Sequence, residues 1–161
     1  MFAILLGMAL CMKAQSHSVF LGLPLGGERY AFVDSLEEKG YVFEEEDNEC
    51  TTLTGLFDGV GARIEVHATP VSHTVHLVVV YFVEIQGNEV GLLMKTRQVR
   101  KQLRRKYALW EYTHEGGVEE WSSTFARVSL GKKKLEGDAF KTLYVQWQDR
   151  SGWEKLQQEQ Q

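Results

Sequence analysis

The sequence predicts a two-layer α+β domain, a mostly antiparallel sheet with two helices packed on one face. Three observations point there. Hairpin-length connections separate most of the β-branched and aromatic runs, which favours antiparallel neighbours. Only two stretches, 28–39 and 88–107, carry apolar residues at helical spacing and can cover a sheet. The chain has 161 residues, 43% hydrophobic and 25% charged, a size and composition that suit a single domain with its own core. The order of helix, about four strands, helix and about three strands reads as two tandem helix-plus-meander units.

Residues 2–12 (FAILLGMALCM) form an apolar run of signal-peptide length, well short of the ~20 residues that span a bilayer. Small residues at Ala14 and Ser16 follow it, so residues 1–16 are expected to be a signal peptide cleaved after Ser16, with Ala14 as the rival position. No basic residue precedes the run. The domain then occupies 17–156. Cys11 leaves with the signal, Cys50 remains alone, and no internal disulfide can form.

From 20 to 27 the chain is apolar but broken by Gly and Pro, an extended lead-in ending in a turn. Phe32, Val33 and Leu36 share one face of the first helix, and Gly40 suits its left-handed end. A short strand over 41–44 leads into the acidic run 44–49. That run lacks the spacing and glycine of an EF-hand and is expected to be a hairpin loop. Strands 51–57 and 62–67 flank Asp58-Gly59, a tight-turn dipeptide. The longest strand-like run is 74–85, centred in the sheet, with Val75, Leu77, Val79, Tyr81, Val83 and Ile85 expected on the helix-covered face.

Asn88 caps the second helix, whose buried stripe is Leu92, Thr96, Val99, Leu103 and Tyr107. Strands are expected at 121–130 and 140–148, a turn at 131–134 and another at 149–152. The last residues, 157–161, have no apolar anchor and are expected to fray.

Two groups of residues are candidate sites. The outer face of the second helix gathers Arg97, Arg100, Lys101, Arg104 and Arg105, with Lys95 and Lys106 at its margins. It is either a solvated face neutralised by the acidic loop at 44–49 or a surface for a polyanionic glycan, lipid headgroup or envelope protein. His67 and His76 face each other if the turn near Pro70 is tight, a geometry that can chelate zinc or copper. Cys50, with no basic residue near it in sequence, is expected to be structural. Four tryptophans, Trp110, Trp121, Trp147 and Trp153, fall in the C-terminal third, where they either close the core or form a carbohydrate or peptide platform. A net charge of −4 argues against nucleic acid. No nucleophile, zinc-protease, CxxC or phosphate-loop motif occurs, and no cofactor is implied.

Phe20-x-Gly22-x-Pro24-x-x-Gly27, then Phe32, Leu36 and Lys39-Gly40, then Gly55-x-Phe57-x-Gly59, then a long helix ending in Lys106-Tyr107, resembles the uncharacterised small exported α+β proteins of gut and oral anaerobic bacteria. The likeness covers residues 20–153. It departs at Ala108, where those proteins have Gly, and in the strand pair that follows the position of Gly152 in them. The resemblance implies a periplasmic or secreted protein and carries no activity with it. The expected function is a non-catalytic binding or envelope-accessory module; the alternative is a hydrolase or metal-dependent enzyme whose site no motif displays.

Overall fold

The computed structural model describes residues 17–161; the expected signal peptide, 1–16, lies outside them. The fold is α+β. Among the described residues it contains an eight-stranded antiparallel sheet, a two-stranded ribbon and three α-helices.

The ribbon, β1 (Val19–Phe20) and β2 (Leu23–Pro24), precedes helix α1 (Arg29–Glu38). The Glu28 carboxylate caps α1 by accepting from the Tyr30 and Ala31 amides at 3.0 and 2.9 Å, which satisfies donors left open at the helix start. Four strands follow as a meander: β3 (Val42–Glu46), β4 (Cys50–Phe57), β5 (Val60–Ala68) and β6 (Val75–Tyr81). After a 3-10 turn at Val83–Ile85 comes α2 (Glu89–Lys106), capped by the Asn88 side chain on the Gly91 amide at 3.0 Å. A second meander runs β7 (Glu111–Glu115), β8 (Val118–Ser122), β9 (Ala126–Lys134) and β10 (Lys141–Asp149), and α3 (Arg150–Glu159) ends the chain. The sheet order is β3-β4-β5-β6-β10-β9-β8-β7, so the last strands of the two meanders pair with each other.

Strand register assigns the faces. Trp121, Val128, Trp147, Val78, Val66 and Thr51 are cross-strand partners in one row, and Leu130, Val145, Val80, Ile64 and Leu53 in the next. Apart from Thr51, these side chains belong to one apolar cluster with Phe32, Val33 and Leu36 of α1 and Val99 and Leu103 of α2. Paired residues point to the same side of a sheet, so β6 turns Val78 and Val80 into the core. The set expected for 74–85 is the opposite one. Residues 78–81 are apolar on both faces, Val83 and Ile85 belong to the 3-10 turn, and a register shift between His67 and Ala68 sets the start of β6 out of phase. Tyr81 is buried on the other face beneath Arg63 and Lys133, which sit over its ring at 5.4 and 4.8 Å.

Further expectations change. The strand expected over 121–130 is divided by a turn at 123–125, with the Ser123 amide donating to the Ala126 carbonyl at 2.9 Å, and the lysine run 132–134 extends β9 instead of turning. Strand β7, exposed throughout, lies at an edge of the sheet. Residues 150–159 are helical, and 157–159 are tied down where fraying was expected. Asp149 caps α3 on the Gly152 amide at 3.1 Å and also accepts from the Ser18 amide at 2.9 Å. At its far end Glu159 accepts from the Val71 amide at 2.9 Å and the Ser72 hydroxyl at 2.5 Å. No helix among the described residues is long and apolar enough to cross a membrane.

Candidate metal centre

The turn Asp58-Gly59 sets the geometry. Both residues take positive φ, 49° and 76°, which a two-residue hairpin turn requires and which glycine adopts without strain. Phe57 therefore pairs with Val60 and, counting outward, Thr52 with Glu65 and Cys50 with His67. Glu65 lies two residues from His67 on the same strand and so on the same face. A thiol, an imidazole and a carboxylate are brought together on the side of the sheet away from the main apolar cluster.

Their ligand atoms lie within 4.8 Å of one another. Cys50 Sγ is 3.9 Å and Glu65 Oε2 3.1 Å from His67 Nε2. With metal–sulfur, –nitrogen and –oxygen bonds of about 2.3, 2.05 and 2.1 Å, tetrahedral coordination places S and N about 3.6 Å apart and N and O about 3.4 Å apart. The observed separations straddle those values within a rotamer's adjustment. The Glu65 carboxylate has further contacts. Arg63 Nη2 donates to Glu65 Oε1 at 2.5 Å, leaving Oε2 toward the histidine, and the Tyr81 hydroxyl lies 3.4 Å from Oε2. Such outer contacts hold ligand carboxylates in place.

The electrostatics follow from these contacts. Burial alone would raise the Glu65 carboxyl, but hydrogen bonds from His67 and Arg63 outweigh it and hold the group at about 2. Burial alone would lower His67; its contacts with Cys50 and Glu65 reverse that and raise it to about 9. The arrangement does not form a nucleophilic relay, in which sulfur and carboxylate contact opposite nitrogens of the ring. Here both face Nε2.

Of the two histidines expected to chelate, His67 joins this cluster and His76 does not. The β6 partner of His67 is Leu77, and His76 sits at the register shift with its ring 6.0 Å from that of Trp153. Burial, then the charge of His67, lowers His76 to about 4. Cys50, which has no basic residue near it in sequence, does have one across the hairpin, with its Sγ 3.9 Å from His67 Nε2. The signal was present in Asp58-Gly59, whose two-residue turn fixes the register that pairs positions 50 and 67.

The basic face of α2 divides in two. Arg100 Nε and Arg104 Nη2 both donate to the carboxylate of Glu119, the latter at 3.1 Å, and the Tyr112 hydroxyl donates to it at 2.9 Å. Lys95 is buried and pairs with Asp58 at 2.7 Å. Glu119 and Asp58, not the acidic run 44–49, supply the countercharge. Arg97, Lys101 and Arg105 are exposed without an ion-pair partner among the described residues. No protein-family model, curated protein or solved structure matches the chain.

Proposed function

We propose that the protein is an exported, non-catalytic binding module that holds a divalent transition-metal ion, with zinc the best fit, through Cys50, Glu65 and His67. The observation that carries this reading is the convergence of three unlike donors at near-tetrahedral spacing. Thiolate and imidazole together favour zinc over magnesium or calcium, which take oxygen ligands. The site would leave a fourth position for water or a donor from a partner.

Export to the periplasm or beyond rests on the apolar run at 2–12 and on the resemblance to small exported proteins of anaerobic bacteria. The two-layer packing, with α1 and α2 on one face of the sheet, is supported by their shared apolar cluster. A polyanionic or envelope partner, if one uses the basic face, is left with Arg97, Lys101 and Arg105.

Calorimetric titration of the purified mature protein with zinc chloride tests the metal reading. One ion per chain is expected, with affinity reduced about 10–100-fold or more on replacing His67 or Cys50 with Ala. No zinc binding, or binding indifferent to both substitutions, would overturn it. Intact mass tests export; a mature chain that keeps residues 1–12 contradicts it.

A further inference from the structure

We propose a second site, for a neutral mono- or disaccharide, in the cavity between α3 and the turn that joins β8 to β9. The cavity measures about 360 Å³ and is lined by Ser122, Ser123, Arg127, Gln148, Arg150 and Trp153, among others. That volume lies at the small end of ligand clefts, which run about 300–1,000 Å³.

Three features define its chemistry. The first is Trp153. While Trp121 and Trp147 are 2% and 6% exposed and serve the core, Trp153 remains 41% exposed. The buried ring of His76 lies 6.0 Å from it, tilted by 60°, and limits its orientation. An aromatic face presented in this way suits the C–H face of a pyranose.

The second is hydrogen-bonding capacity without a partner. The Gln148 amide, the Ser122 hydroxyl and the Trp153 indole N–H make no hydrogen bond to other described residues. Gln148 offers two donors and an acceptor, which can bind adjacent hydroxyls of one ring.

The third is charge. Each arginine at the rim has its own carboxylate: Arg127 Nε is 3.1 Å from Glu120 and Arg150 Nε 3.7 Å from Glu154, and Arg150 Nη1 also donates to the Thr124 carbonyl at 2.9 Å. With both guanidinium groups already neutralised, the cavity has little to offer a phosphate or carboxylate but much to offer a polyol, which can donate to Glu and accept from Arg.

The site is independent of the metal centre but shares a row of the sheet with it. Ser122, Arg127, Gln148, Leu77, His67 and Cys50 are successive cross-strand partners. At about 4.8 Å per strand, Gln148 stands about 10 Å from His67. Both sites therefore open on the same face of the sheet.

Calorimetry on the mature protein with N-acetylglucosamine, N,N′-diacetylchitobiose, maltose and cellobiose, with glucuronate and inorganic phosphate as anionic comparators, tests the proposal. At least one neutral saccharide should bind, and Trp153→Ala and Gln148→Leu should each weaken it about tenfold or more while His67→Ala leaves it unchanged. If Trp153→Ala fails to fold, Gln148→Leu decides. Preference for glucuronate or phosphate, absence of binding across the neutral set, or indifference to Gln148→Leu would overturn it.

Discussion

Glu119 is the test of how the basic helix is built into the fold. It is 3% exposed, and Arg100 and Arg104 tie it from α2 to β8. Replacing both arginines with Gln would leave a buried carboxylate with Tyr112 as its remaining strong donor. Stripping the partner from a buried ion pair costs about 3–5 kcal/mol. The Arg100 and Arg104 side chains are 36% and 55% exposed, so solvent screening and residual donation by Gln reduce this to about 2–3 kcal/mol. For a domain of this size that lowers Tm by about 4–12 °C. Replacing Arg97, Lys101 and Arg105 with Gln should instead stay within about 1 kcal/mol of wild type and selectively weaken retention on heparin.

Acidification adds a second readout. Burial acts to raise the Glu119 carboxyl, but its bonds to Arg100 and Tyr112 prevail and hold it below the ordinary range. Its stabilisation is then present above the unfolded carboxyl value and lost as pH falls through the lowered folded one. The gap between wild type and the Arg100/Arg104 variant should narrow at acid pH. Urea melts of both variants over pH decide the matter. If the Arg97/Lys101/Arg105 variant is the less stable, the division of the helix face is wrong.

Two further predictions concern α3 and the strand beneath it. Gly152→Ala adds helix propensity worth about 1 kcal/mol, yet a Cβ there would meet His76 Cβ at 2.8 Å and the His76 Cα at 3.0 Å; net destabilisation is expected in thermal melts, and a stabilised variant would show that α3 does not pack closely on β6. His76, lowered to about 4 by burial and the charge of His67, should be neutral when folded and take up a proton on unfolding below its ordinary value of 6.5. Stability in wild type should therefore fall as pH drops from about 6.5 toward 4, and His76→Leu should flatten that slope; identical slopes would refute the assignment.

Legibility in the sequence followed the strength of local signals. The helices at 29–38 and 89–106 carry both an apolar stripe and a capping side chain, and both fall within a residue of the expected ends. Strand β7 was missed because Glu111–Glu115 is polar throughout, and an edge strand need not alternate. Gly152 made α3 read as a turn, although the glycine is there to let the helix approach β6. At the candidate centre, His67 is legible as a candidate ligand from its type. Its partners are not, since Glu65 alternates with the apolar Ile64 and Val66 as on any half-wet strand, and Cys50 lies far away in sequence. Register, not composition, unites them.

Cobalt substitution tests the metal centre most directly. Cobalt(II) added to the metal-free mature protein at neutral pH should give a thiolate-to-cobalt charge-transfer band in the near ultraviolet and visible d–d bands of tetrahedral strength. Both should saturate at one equivalent and be displaced by zinc. Cys50→Ser should abolish the charge-transfer band, and His67→Ala should weaken binding about tenfold or more, whereas His76→Leu should change neither. Cobalt spectra with no sulfur band, or a band that survives Cys50→Ser, would contradict the metal centre.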